Sequence, residues 1–170
     1  MSRNFLLIMK NGLAFSQNKN DGITYSKTYQ RGVLPMCNNK NKDYGPNPYV
    51  INVEDAAMKN TNFRTALWTG CHLQMTLMSI PVCSDIGLEV HNDTDQVIRV
   101  EEGMGCVKMG CNRERFGYEQ CLRMGDVVFV PAGTWHNIIN TGNCPLKLST
   151  VYAPPHHPAG TVHRTKEDAK

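Results

Sequence analysis

The chain has 170 residues, 41% of them apolar and 19% charged, with a formal net charge of +3. That length suits one domain with a proper core, and the composition excludes a disordered polar chain. The basic residues are scattered, apart from Lys40 and Lys42 in an Asn-rich stretch and a few other short pairs, so nucleic acid is not an expected partner.

The apolar run at residues 5–9 is shorter than a signal-peptide core and has no clear small-residue cleavage site. No segment has the apolar length to span a membrane. The seven cysteines (Cys37, Cys71, Cys83, Cys106, Cys111, Cys121 and Cys144) are odd in number and show no Cys-x-x-Cys pair. Free thiols in a reducing cytoplasm are expected. Cys106 and Cys111 can flank a turn and share a soft metal, although small core-packing side chains are the commoner use of such residues.

Residues 1–48 read as an irregular arm. They are rich in Asn, Lys and Gly and end in Tyr44-Gly-Pro-Asn-Pro48, whose prolines exclude a regular helix or central strand. Residues 5–9 and 32–34 can still supply an edge strand or a subunit contact. Residues 52–60 (NVEDAAMKN) are the best helix candidate. Asn52 can cap it, Glu54 and Asp55 suit the positive end of its dipole, and Lys59 comes late.

From Phe63 onward the pattern turns to short β segments, over residues 63–69, 73–80, 87–91, 96–102, 105–109, 126–130, 135–140 and 146–152. Leu146, Leu148, Thr150 and Tyr152 share one face of the last. Many short strands with frequent turns imply an all-β sandwich or barrel. The organisation expected is an arm over 1–48, a barrel over 49–155 and a tail over 156–170 that leaves the sheet as coil or a short helix.

Two polar stretches carry chemistry. The first runs from Gly87 through Glu89 and His91 to Gln96. The second runs from Gly125 through Pro131, Gly133 and His136 to Asn140. Alternate residues of a strand share a face, so Glu89 lies beside His91. The turn-like Asn92-Asp-Thr-Asp95 can return Gln96 towards them, with Ile98 and Val100 on its face. His136, Ile138 and Asn140 share a face in the second stretch, opposite Trp135 and Asn137. If the two faces meet, Glu89, His91, Gln96 and His136 cluster. Two imidazoles and a carboxylate form the set that holds Fe(II) with open positions, and the same set accepts Zn, Mn, Ni or Co. Gln96 can be a fourth, neutral oxygen ligand or a hydrogen-bond partner.

The two stretches resemble the motifs of the cupin superfamily, G-x5-H-x-H-x3–4-E-x6-G and G-x5-P-x-G-x2-H-x3-N. The second fits at Gly125, Pro131, Gly133, His136 and Asn140. The first fits at His91 and Gly103, with Gln96 in place of the Glu, Glu89 in place of the first His and Cys83 in place of the opening Gly. The segments YGPNPYVINVEDA, FRTALWTG and PAGTWHNIINTG further resemble small single-domain bacterial cupins of the mannose-6-phosphate isomerase-like type. The resemblance implies a double-stranded β-helix (jelly-roll) barrel and one divalent first-row metal ion held by Glu89, His91, Gln96 and His136. It also implies a small-molecule ligand or substrate and a homodimer.

A competing assignment reads His91, Asp93 and His136 as the H-x-D…H set of 2-oxoglutarate oxygenases, with Lys147 as the basic partner of the cosubstrate. Asp93 falls in the expected turn, which favours the cupin motif. Tyr152, Met75 and Met109 are candidate cavity residues. His156, His157 and His163 lie in the Pro-rich tail, which can fold back over the barrel mouth and supply an acid or base. His72 has no evident partner. Two functional classes follow: a metal-dependent isomerase or oxygenase acting on a sugar, sugar phosphate or oxo-acid, and a non-catalytic ligand-binding cupin.

Overall fold

The computed structural model describes residues 43–169. The expected arm lies outside them up to residue 42, as do both edge-strand candidates and Cys37. The described cysteines are free thiols. Among the described residues no helix is long and apolar enough to cross a membrane.

The expected helix forms as α1 (Val53–Lys59). Asn52 Oδ1 accepts the Asp55 backbone N–H at 3.0 Å, satisfying a donor that the helix itself leaves unpaired. Ala57 faces inward and packs with Leu67 and Leu77. The rest of the fold is β: β1 (Arg64–Thr69), β2 (Gln74–Ile80), β3 (Asp95–Glu102), β4 (Met104–Gly110), β5 (Tyr118–Arg123), β6 (Val127–Val130), β7 (Trp135–Asn140), β8 (Leu146–Ala153) and β9 (Val162–His163). They make a six-stranded sheet in the order β6-β3-β8-β2-β1-β9 and a three-stranded sheet in the order β5-β4-β7. All recorded pairings between these strands are antiparallel. This is the expected all-β jelly roll.

Register decides which side chains meet inside. In the larger sheet Leu148 sits opposite Met78 and Val100, Thr150 opposite Thr76 and Ile98, and Tyr152 opposite Gln74 and Gln96. Leu146, Leu148, Thr150 and Tyr152 are all buried on one face, as their alternation predicts. Arg64 lies opposite Met78 and so faces inward too. The interior is graded along these strands. One end is a continuous apolar core built from Met78, Ile80, Val100, Leu146, Leu148 and Ile138, each fully buried side chain contributing about 1.5–3 kcal/mol. The other end is buried but polar, with Gln74, Thr76, Gln96, His136 and Thr150 each at most 2% exposed.

Three local expectations change. Residues 87–91 are not a continuous strand. The segment follows β7 through isolated bridges, Asp85 to Ile139 and Glu89 to His136, because Gly87 at φ +93° breaks the extended run. β5 was not foreseen: its residues are exposed except Leu122, so it shows no apolar alternation. The tail does not simply leave the sheet. Val162 and His163 return as β9 along β1, covering that strand's open edge, before the short helical turn Glu167–Ala169.

Cys83 is the only non-glycine at positive φ among the described residues, at 59°. It occupies the position where the family motif opens with Gly, and the backbone there takes the left-handed form for which Gly is suited. Cys83→Gly should retain or raise stability in urea unfolding, whereas Cys83→Val should lose about 1–2 kcal/mol. Equal stability of the two variants would contradict local strain at this position.

Candidate metal centre

The polar end of the barrel is where the two sequence motifs meet. Glu89 N–H donates to His136 O at 3.0 Å, and His136 N–H donates to Glu89 O at 2.9 Å. This reciprocal pair sets Glu89 and His136 side by side. Gly133 N–H donates to His91 O at 2.7 Å, and Ala132 N–H donates to Asp95 Oδ1 at 2.9 Å. The Pro131-Ala-Gly133 turn is thereby anchored to the first motif. Gly133 takes φ +77° at this close approach, a form costly for a residue with a Cβ.

One ligand atom from each of Glu89, His91 and His136 falls within 4.8 Å of the others. Glu89 Oε1 is 3.4 Å from both His91 Nε2 and His136 Nε2, too far and too poorly aligned for strong hydrogen bonds. All three atoms are buried without a hydrogen-bond partner. Such orphans are costly in a native interior unless something else binds them. His136 Nδ1 lies 2.9 Å from Thr134 O. That bond places the proton on Nδ1 and leaves the Nε2 lone pair facing the cluster, the second-sphere arrangement typical of a metal-bound imidazole. The set of two imidazoles and one carboxylate fits a divalent first-row ion.

The charge on Glu89 is favoured by its surroundings. Burial works against it, but His136, His91 and the Arg64 cation together hold its carboxyl well below the usual carboxylate range. The carboxylate is therefore ionised at neutral pH, as a ligand must be.

Gln96 is buried in the same wall, opposite Tyr152 and Val130, and its Oε1 has no partner. Asp93 is exposed on the turn, so the structure brings Glu89, and not Asp93, to the two histidines. Lys147 alternates away from the interior and donates to Asn60 O at 2.6 Å and Ser79 Oγ at 3.0 Å. Neither residue supports the oxygenase-type assignment. Cys106 is buried while Cys111 is exposed, and the two are not part of the metal-type cluster. Trp135 lies under Arg113, with the guanidinium carbon 5.8 Å from its ring centroid. His72 is exposed.

The tail does fold back over the mouth. The His156 ring centroid is 4.0 Å from that of His91, and His157 meets Tyr152 edge-on at 5.1 Å. Gln74 holds this segment in place: its Nε2 donates to His157 O at 2.9 Å and its Oε1 accepts His157 N–H at 3.0 Å. Farther along, Gly160 N–H donates to Asp43 Oδ2 at 2.9 Å. Burial and the nearby Arg64 charge lower His157 to about 3, leaving it neutral, while burial pushes the Tyr152 hydroxyl upward.

Sequence reasoning missed Arg64. It is 3% exposed, and its Nη2 lies 3.9 Å from Glu89 Oε2. The available signal was a lone cation in the otherwise uncharged strand-like run Phe63–Thr69, which becomes informative only once the facing strand is known.

Fold and cluster define a jelly-roll barrel with two histidines and a carboxylate gathered at its polar end. The cupin domain family matches residues 76–152. The chain is 56% identical over 128 residues to the protein YrkC of Bacillus subtilis, covering 75% of this chain and 69% of that protein. It is 41% identical over 115 residues to protein L612 of Acanthamoeba polyphaga mimivirus, covering 67% and 70% respectively. The crystal structure of BH2720 from Bacillus halodurans superposes with a TM-score of 0.74 at 55% identity, covering 75% of this chain and 96% of that one. The chain belongs to the cupin superfamily.

Asn140, the last residue of the second motif, is a brace. Its Nδ2 lies within 2.9–3.1 Å of the carbonyls of Ile80, Pro81 and Cys144, and its Oδ1 accepts Gly142 N–H at 2.9 Å. Asn140→Ala strands several of these groups in a buried setting and should cost about 2–4 kcal/mol in urea unfolding. A loss below about 1 kcal/mol would contradict the bracing role.

Proposed function

We propose that this cupin is a metal-dependent enzyme acting on a small polar substrate. Glu89, His91 and His136 hold one divalent first-row ion, with Gln96 as a fourth oxygen donor or a contact to substrate. The observation that carries this reading is the convergence of three buried, unpartnered ligand atoms, on a carboxylate kept ionised by its neighbours. When bound, such an ion supplies Lewis-acid polarisation of a substrate oxygen or, if it is redox-active, oxygen chemistry. The chain's own contribution is placement. Thr134 orients His136, Gln74 keeps the tail across the mouth, and His156 and His157 restrict water there.

Isomerisation is the reaction proposed, from the resemblance to mannose-6-phosphate isomerase-like cupins. Elemental analysis of untagged protein purified without chelator should find about one equivalent of metal per chain. The His91→Ala/His136→Ala double variant should lose it while keeping a folded β spectrum. Full metal retention in the double variant would refute the site. Zn or Mn with substrate interconversion that consumes no oxygen supports isomerisation. Fe with substrate-dependent oxygen uptake replaces it with oxygenation. A protein that holds no metal and takes none up on reconstitution is a ligand-binding cupin instead.

We further propose a cytoplasmic homodimer, in keeping with the cysteine pattern. Support for the dimer comes from the outer face of the larger sheet. Phe129, 70% exposed on edge strand β6, aligns with Val97, which in turn aligns with Val151. An apolar row at an open edge favours a partner surface. Phe129→Glu should shift the mass measured by light scattering from dimer to monomer. An unchanged dimer would exclude this face, and a monomeric parent protein would exclude the dimer.

A further inference from the structure

Arg64 is buried with only part of its hydrogen-bonding capacity met: it neighbours Glu89 and its Cζ lies 5.7 Å from the Phe63 ring centroid. It enters the interior from β1, opposite Met78 on one side and His163 on the other. Its Nε is buried without any hydrogen-bond partner. Among the described residues the carboxylate within 4.0 Å of it is Glu89, and that contact, at 3.9 Å, is an ion pair without a hydrogen bond. A guanidinium placed for structure normally forks onto a carboxylate at about 2.7–2.9 Å. Among the described residues no close bidentate carboxylate pair forms on Arg64.

The surrounding wall is similarly incomplete. Thr76 Oγ1, Thr150 Oγ1, Tyr152 Oη and Gln96 Oε1 are all buried with no partner. Thr76 lies opposite Thr150, and Tyr152 opposite Gln96, so these atoms line one stretch of the interior face. The group therefore offers one fixed cation, three hydroxyls and one carbonyl oxygen beside the proposed metal. With a divalent ion bound, the Glu89 carboxylate is shared between that ion and Arg64, so the site carries excess positive charge that a bound anion offsets.

We infer that Arg64 is the substrate's carboxylate anchor, and that the substrate class is a small carboxylic acid with a hydroxyl or oxo group on the adjacent carbon. This inference rests on the metal-centre reading above. The planar fork of Arg64 matches a carboxylate, the neighbouring oxygen faces the metal, and the hydroxyls of Thr76, Thr150 and Tyr152 satisfy the remaining polar edge. The tail histidines across the mouth favour a compact acid over a large sugar.

Calorimetric titration of metal-loaded protein with glycolate tests this, using ethylene glycol as the uncharged analogue and inorganic phosphate as the competing oxyanion. Metal content is measured on each sample. Glycolate should bind, with ethylene glycol weaker by about tenfold or more. Arg64→Gln should keep its metal and weaken glycolate by about 10–100-fold, and Arg64→Lys should recover part of that loss. Undiminished glycolate affinity in metal-replete Arg64→Gln overturns the assignment. So does equal affinity for ethylene glycol, tighter binding of phosphate, or no glycolate binding by the loaded parent protein. If Arg64→Gln does not fold, Arg64→Lys decides: unchanged affinity overturns the bidentate anchor, and a loss supports it. If the parent protein holds no metal, the metal-centre reading fails by itself. Glycolate binding to that metal-free protein, lost in Arg64→Gln or weakened in Arg64→Lys, then still supports the anchor, and its absence or persistence overturns it.

Discussion

The arrangement on which the rest of this structure depends is the Glu89 carboxylate held between two imidazoles and a buried guanidinium. One oxygen faces His91 and His136 at 3.4 Å, and the other faces Arg64 at 3.9 Å. None of these contacts is a good hydrogen bond, yet Glu89 Oε1 and the two Nε2 atoms are buried from water. Burying polar atoms this way is unfavourable unless they are satisfied. The fold meets the cost by separation. The apolar end of the barrel supplies cohesion through Met78, Leu146, Leu148 and Ile138. That leaves the polar end free to present unsatisfied atoms, a division seen where function and stability compete.

Rigidity at the polar end comes from the backbone. The two motifs are joined by main-chain hydrogen bonds, Glu89 with His136 and Gly133 with His91. Moving one ligand therefore moves the turn that carries another. Asn140 ties the far end of β7 to three carbonyls from other segments, and Gln74 fastens the tail. Side chains mounted on β7 and on a segment hydrogen-bonded to it hold their geometry better than side chains on open loops.

Much of this was legible from the residues, for identifiable reasons. In the second motif several fixed residues have a local duty: Gly133 the left-handed turn, His136 a buried imidazole nitrogen facing the cluster, Asn140 the brace. Such duties leave a spaced signature, and β7 and β8 followed their alternation. Legibility failed where the duty is not local. β5 exposes nearly all its side chains, so it has no apolar period. Arg64 looks like any charged residue in a strand until its register opposite Met78 turns it inward. The tail histidines could be placed only provisionally, because what brings them to the mouth is Gln74, 83 residues away in sequence from His157. The departures in the first motif also found physical meaning. Cys83 adopts the left-handed backbone of the glycine it replaces, and Glu89 brings a carboxylate to the cluster where the motif has an imidazole.

The most direct test of the account is anomalous diffraction from crystals of the protein grown with Mn, Fe, Ni, Co or Zn and measured at the absorption edge of the ion supplied. The account predicts one anomalous peak per chain at the barrel mouth, coordinated by Glu89 Oε1, His91 Nε2 and His136 Nε2. A peak elsewhere, or none with any of these ions, would contradict it.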